Sequence, residues 1–409
     1  MTHVHGIRPN AAQFILQLLQ VFLVGSLVGM TRTVLPELAT SDFGLAAGSF
    51  MALATFVVVF GLVKALLNLF AGSLSDRWGR RRVLIAGWVS ALPIPFLILY
   101  GPSWGWIILA TVFLGINQGL SWSMALNSKL DLTHARQRGL VNGFNEFAGY
   151  GGVAIAGMLS ALAVHAYGAR IGLFLFALTI IVLALMIALM AIQETRPWAL
   201  LHQGTSTIKP IGTRALFGYA SWENRSLLAL NQAGLVEKFT DAIVWLFFPV
   251  YFMAQGMSLV ASGSLVAVYG VVWGAGQLVT GPLSDHISRK LMIVGGMWLC
   301  GAGVLAVGLS TTPWLWGIEL SLIGIGMAFL YPTLGAAVAD QAEPAQRAGI
   351  LGVYRFWRDL GYAVGGLGLG LVAQWSGGIT LPFWFVAASM FLSGLYLWIR
   401  LSMPSPSVT

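Results

Sequence analysis

The sequence predicts an all-α membrane protein of twelve transmembrane helices in two pseudo-symmetric six-helix bundles, and three observations carry that expectation. Of 409 residues, 57% are hydrophobic and 9% charged, whereas a soluble domain carries about 25% charged residues. Apolar runs of the length that crosses a ~30 Å hydrocarbon core recur along the chain. A segment pattern in the first half returns in the second at a constant offset of 209 residues.

The apolar runs cover 12–36, 47–73, 83–101, 104–128, 140–165 and 170–192 in the first half, then 227–252, 261–283, 291–310, 314–338, 349–373 and 380–402 in the second. Each is expected to be a helix, because backbone in lipid must bond within its own segment. The first run follows MTHVHGIRPN, exceeds a signal-peptide core in length and lacks a small-residue cleavage site, so it is expected to be retained. Between the sixth and seventh runs the polar stretch from Gln193 to Ser226 contains HQGTSTIKPIGT. It divides the chain into a bundle at 1–192, a linker at 193–226 and a bundle at 227–409.

The formal charge of +8 is explained by where the basic residues sit. With the N-terminus in the cytoplasm, Arg77, Arg80, Arg81, Arg82, Lys129, Arg136, Arg138, Arg196, Lys209, Arg214, Arg225, Arg289, Lys290 and Arg347 all fall on cytoplasmic loops, and the outer loops hold Arg170. This asymmetry places both termini and the linker in the cytoplasm, and it removes the need for a nucleic-acid partner. The composition calls for no cofactor and no metal. Cys300 is the single cysteine, the histidines have no i, i+4 partner, and the Met253/Met257 spacing reads as helix-end packing. No Walker-type glycine loop and no nucleophile with its base occur, which argues against an enzyme.

The repeat is read directly: GSLSDRWGRR from Gly72 returns as GPLSDHISRK from Gly281. The same offset carries Gly115 onto Gly324, Gln137-Arg138 onto Gln346-Arg347, and Gly143, Phe147, Gly152 and Gly157 onto Gly352, Phe356, Gly361 and Gly366. Duplication of this kind marks secondary transporters with a site between the halves. The first copy resembles the signature between helices 2 and 3 of the major facilitator superfamily, with its weaker copy between helices 8 and 9. The resemblance implies alternating access, with Gly72, Asp76, Arg77, Gly79, Arg80, Asp285 and Arg289 as a gating motif and Asp76 and Arg80 in a cytoplasmic latch. Two departures separate the chain from drug/proton antiporters: Gly115 stands where they carry an arginine before Gln118-Gly119, and NEFAGYGG lacks their proline. The segment GVYRFWRDLGYAVGG resembles uncharacterised bacterial permeases of the same superfamily.

Charges inside the apolar runs point to function, since each costs on the order of 3 kcal/mol in a bilayer. Lys64 lies about 15 Å from the cytoplasmic end of its helix, too deep to snorkel. It reads as a cavity residue or a structural ion-pair partner, with Asn68 on its face. Arg32, Glu146, Glu237, Lys238, Asp241, Arg355, Arg358 and Asp359 complete the set. By the offset, Arg32 falls on Asp241 and Glu146 on Arg355, so opposite charges are expected to meet across the interface between the halves, or within each half, and to exchange partners between the outward and inward states. A network of Lys64, Glu146 and Asp359 is expected, and Glu237 and Lys238 sit near enough to the helix start to face the cytoplasm instead. Along the helices, Lys238 can reach Asp241, and Arg355 can reach Arg358 and Asp359. Glu146 and Asp241 are the candidate proton-coupling carboxylates, with permanent ionisation as the alternative. Arg32, Lys64, Asn68, Asn117, Trp122, Tyr331 and Arg355 are the candidate substrate residues.

One surplus intramembrane cation favours an anionic solute. The expected function is therefore proton-coupled transport of a small organic or inorganic solute, anionic in character, across a bacterial inner membrane by a monomer. Proton-driven efflux of cationic or neutral lipophilic compounds is the alternative, and a non-transporting receptor of the same fold is a further one.

Overall fold

The computed structural model describes residues 4–45, 49–134, 137–202, 213–284, 286–342 and 346–402. Their long helices are α1 (Ala11–Ser41), α2 (Phe50–Trp78), α3 (Arg80–Ala91, continued by Pro93–Tyr100), α4 (Trp104–Asn117, continued through a π-helical turn to Leu132), α5 (Arg138–Tyr167), α6 (Ala169–Met190), α7 (Arg225–Leu246, continued by Phe248–Ala254), α8 (Leu259–Leu283), α9 (Arg289–Leu309), α10 (Pro313–Asp340), α11 (Arg347–Ser376) and α12 (Thr380–Arg400). Ten of these are long and apolar enough by composition to cross a membrane. The other two, α7 and α11, carry Glu237, Lys238 and Asp241, and Arg355, Arg358 and Asp359. Hydropathy fails at the helices where buried charge is concentrated.

Local chemistry sets the helix ends. Gly79 takes φ +89°, a conformation that disfavours a side chain, and turns α2 into α3. The first amides of α3 are capped from after α6: Glu194 accepts from the Arg80 N–H at 2.9 Å and the Arg81 N–H at 3.2 Å. Asn224 caps α7 by accepting from the N–H groups of Ser226 and Leu227, each at 3.0 Å. The π-helical turn in α4 spans Gln118–Trp122, and such bulges frequently mark functional positions.

Within the first half α1 packs on α5, and across the halves α2 packs on α11 and α5 on α8. Backbone proximity makes the α2/α11 seam dependent on glycine: a Cβ on Gly61 would stand 2.5 Å from the Ala363 nitrogen and 2.5 Å from the Tyr362 Cβ. Farther along the same seam Gly366 faces Val57, and Gly370 faces Met51 and Ala54. Along this seam the halves therefore touch from the middle of the bundle to the end away from the termini, termed the far end below, whereas on the α5/α8 seam contact continues toward the termini, with a Cβ on Gly143 3.7 Å from the Gln277 carbonyl. Nearer the termini, Gly72 of α2 and Gly352 of α11 have no atom within 4 Å of an added Cβ. At the far end of the first half, Arg170 pairs with Asp42 at 3.0 Å and donates to the Gly101 carbonyl at 2.8 Å.

Lys129 departs from the loop position expected for it. It lies inside α4, fully buried, and its Nζ donates to the Gln17 carbonyl at 3.1 Å. The helix continues past the end of the apolar run because residues 127–132, in which polar side chains alternate with Leu130 and Leu132, still pack against α1. Lys129 therefore does not belong with the exposed basic residues.

Candidate functional site

Two charge pairs join the halves. Arg32 on α1 meets Asp241 on α7 in a fork, Nη1 to Oδ1 at 2.5 Å and Nη2 to Oδ2 at 2.8 Å. These are equivalent positions of the repeat, so the offset pairs the residues that touch. Tyr269 donates to Asp241 at 3.3 Å, Tyr362 also donates to it, and the Trp245 ring lies 5.0 Å beneath the guanidinium. Arg32 and Asp241 are 3% and 0% exposed, which leaves water no part in screening them.

The second pair is Lys64 on α2 with Asp359 on α11, Nζ to Oδ1 at 3.4 Å. Asn68, one turn along α2, donates to Oδ2 of the same carboxylate, and Arg358 donates with Nε at 3.1 Å and Nη2 at 3.2 Å. Asp359 thus draws donors from both halves. Glu146 stands outside this network, contrary to the sequence expectation. Its Oε1 accepts from Asn145 at 2.7 Å, Oε2 has no hydrogen-bond partner, and the Trp122 indole is beside it.

Between the two pairs lies an aromatic cage. Glu237 and Lys238 do not face an aqueous end: both are buried and joined to each other, Nζ to Oε1 at 3.1 Å. The turn of α7 that holds them points between the halves, where the Lys238 ammonium stands 5.0 Å from the Trp273 centroid, 4.8 Å from Tyr331 and 5.4 Å from Tyr362. Such faces attract a desolvated cation by about 2 kcal/mol each at best. Tyr150 of α5 lies on Trp273 with centroids 3.5 Å apart, Trp122 meets Tyr150 at 5.8 Å, and Tyr331 also carries the Arg358 guanidinium at 4.7 Å. Trp122 and Tyr331 therefore belong to the cluster. The helix-local pairings differ from expectation, because Lys238 takes its neighbour Glu237 rather than Asp241, and Asp359 takes Arg358. Arg355, half-buried beside them, has no ion pair or hydrogen bond among the described residues.

Asn117 lies elsewhere. It is fully buried, and its Nδ2 donates to the Gly87 carbonyl at 2.9 Å and to Ser121 at 3.4 Å. This places it in the wall between α3 and α4, where it is a packing residue. In the gating motif Arg80 pairs with Asp131 of its own half, Nε to Oδ2 at 3.1 Å, and Arg289 pairs with Asp340. The two ion pairs are related by the offset of 209, and each anchors its loop to the helix base of its own half. Arg77 is exposed and Gly72 is open. The Asp76 side chain and Asp285 lie outside the described residues, so the latch expected of Asp76 rests on sequence alone.

Residues 18–236 and 230–409 each match the model of the Major Facilitator Superfamily. The chain belongs to this superfamily. It is 28% identical over 341 residues to the uncharacterised MFS-type transporter YhhS of Escherichia coli K12, spanning 81% of this chain and 72% of that protein. The YhhS of Salmonella paratyphi C is 27% identical over 402 residues, spanning 93% and 90%. Among solved structures a D-xylose-proton symporter superposes with a TM-score of 0.76 at 17% identity, covering 96% of this chain and 98% of that one; at that identity the likeness shows the fold. The chain is an integral membrane protein and a secondary transporter in kind.

Several residues escaped the sequence reading: Tyr150, Trp273, Tyr362 and Gln277 at the interface between the halves, and Asp131 and Asp340 in the loop anchors. The repeat held the signal for five of them. The offset takes Lys64 onto Trp273, Asn68 onto Gln277 and Asp131 onto Asp340, and it takes Tyr150 onto Asp359, a residue already singled out. Equivalent positions thus line the interface with different chemistry on each side. No such signal marks Tyr362, whose equivalent is Val153.

Proposed function

We propose that this transporter moves a small anionic solute across the bacterial inner membrane by alternating access, coupled to protons and acting as a monomer with both termini in the cytoplasm. The observation that carries the reading is Arg355: a guanidinium between the halves that makes no ion pair among the described residues, next to an Asp359 already shared by Lys64, Asn68 and Arg358. A planar fork of N–H donors in a low-dielectric site is matched by a carboxylate or a related oxyanion. With the α2/α11 seam closed toward the far end and open at Gly72 and Gly352, the solute reaches this site along that seam from the terminus-bearing side, and the Arg32/Asp241 pair is the barrier that opens in the other half of the cycle.

Proton coupling falls to Glu146 rather than Asp241. Asp241 is held by both guanidinium nitrogens of Arg32 and by two tyrosine hydroxyls, so a proton would have to displace bound donors. Glu146 keeps one carboxylate oxygen unpaired, which leaves room for a proton without breaking a bond. The test is reconstitution of the purified chain in liposomes under an imposed pH gradient, with organic anions, cations and neutral lipophiles as solutes. Anions are expected to accumulate and to raise the melting temperature of the wild type, with Arg355→Gln losing both responses. Glu146→Gln is expected to retain anion exchange and lose gradient-driven accumulation. Stabilisation of wild type and Arg355→Gln alike by cations or lipophiles would refute the anion reading.

A further inference from the structure

Hydrogen-bonding atoms buried without partners are rare in native interiors, and each costs about 1–3 kcal/mol. Four side chains beside the Lys238 cage carry such atoms: Glu237 Oε2, Trp273 Nε1, both amide atoms of Gln277, and the Tyr354 hydroxyl. Their placement links them. Glu237 bonds Lys238, whose ammonium faces Trp273. Gln277 follows Trp273 by one turn on the same face of α8 and is 1% exposed. Tyr354 lies against α7 at Gly234, three residues before Glu237, and under the Arg358 guanidinium. Arg355, next to Tyr354 in sequence, makes no ion pair or hydrogen bond among the described residues.

We infer that the solute is a polyhydroxylated carboxylate of the sugar-acid kind, with Arg355 taking its carboxylate and Glu237, Trp273, Gln277 and Tyr354 taking its hydroxyls. The inference rests on the proposed reading of this interface as an anion site and adds the class of anion. The unpaired set mixes an obligate acceptor (Glu237), an obligate donor (Trp273) and two groups that do both. A hydroxyl gives and accepts from one atom and so satisfies each kind. Sulfate only accepts and would leave Glu237 Oε2 unpaired, and a hydrocarbon acid would leave the whole set unpaired. A neutral polyol would leave Arg355 without a counter-charge. Sites built to bond hydroxyls discriminate strongly against analogues that lack them, because the buried partners are then orphaned.

The test is equilibrium binding to the full-length purified protein in lipid nanodiscs, with gluconate, hexanoate, sorbitol, 6-aminohexanoate and sulfate as probes. Gluconate is expected to bind about 100-fold or more tightly than hexanoate or sorbitol. Trp273→Phe and Gln277→Leu are each expected to narrow the gap between gluconate and hexanoate while leaving hexanoate unchanged. Arg355→Gln is expected to weaken both carboxylates and spare sorbitol. Hexanoate, sulfate or 6-aminohexanoate binding as well as gluconate overturns the sugar-acid inference and leaves the anion reading standing. Lipophilic cations binding where none of the five probes does overturns both, as does failure of every compound to bind. The wild-type panel decides the matter even if a variant does not fold.

Discussion

Neutralising one side of the Arg32/Asp241 pair should unlock the far end of the transporter. Asp241→Asn removes the charge that faces a guanidinium only 3% exposed, and leaving one member of a buried pair uncompensated costs about 3–5 kcal/mol. Because the two residues belong to different halves, that cost falls on the conformation in which the halves meet at this level. At 1.4 kcal/mol per decade it shifts the balance between far-end-closed and far-end-open forms by about 100-fold to about 4,000-fold. A small void between α1, α5 and α8, lined by Gly29, Arg32, Val153 and Ala267 among others, reports the change. In a Cys300→Ala background, a cysteine at Ala267 should react slowly with a membrane-impermeant maleimide in the parent and far faster in Asp241→Asn. The double variant Arg32→Gln/Asp241→Asn, which removes both charges, should label more slowly than the single. Unchanged labelling in a folded Asp241→Asn protein, or a double variant as fast as the sum of the singles, would refute the assignment of this pair as a barrier.

Other outcomes follow from the same contacts. Gly61→Val should push α2 from α11, because its Cβ meets backbone at 2.5 Å; the expected cost of about 1–3 kcal/mol should appear as lost transport and as faster labelling of the Ala267→Cys reporter in a protein that still folds. Asn117→Ala should lower thermal stability by about 1–2 kcal/mol through its lost bond to Gly87 and leave solute affinity unchanged, whereas a loss of affinity would return Asn117 to the site. Arg80→Ala should destabilise by more than Arg289→Ala in thermal melts, since Arg80 and Asp131 are 11% and 12% exposed against 20% and 36% for Arg289 and Asp340, and exposed pairs contribute about 0–1 kcal/mol. Lys129→Met should leave stability level or raise it, because a buried ammonium with one carbonyl partner gives up more hydration than it regains.

Composition and repetition were sufficient for the architecture. Twelve apolar runs, a polar break after the sixth and a constant register of 209 residues each follow from what a bilayer demands of a backbone and from gene duplication, and neither needs three dimensions. The buried ionisable residues were legible for the same reason: a charge in an apolar run is anomalous wherever it points. Their partners were not legible. Arg32 with Asp241 and Lys64 with Asp359 depend on which helix faces which across the seams. Glu237 with Lys238 depends on the rotation of α7 about its axis, and helical spacing suggested other pairs. Asn117 was indistinguishable from a cavity residue until the rotation of α4 turned it toward α3. The aromatic cage was hidden among 16 tryptophans and 10 tyrosines, which in a membrane protein also serve lipid interfaces and ordinary packing. The sequence by itself determined the solvent, the helix count, the duplication and which side chains are too costly to be idle. Only the tertiary structure decided which of them meet, because pairing depends on helix azimuth and on close approach at glycines, and those are properties of packed helices rather than of any one of them.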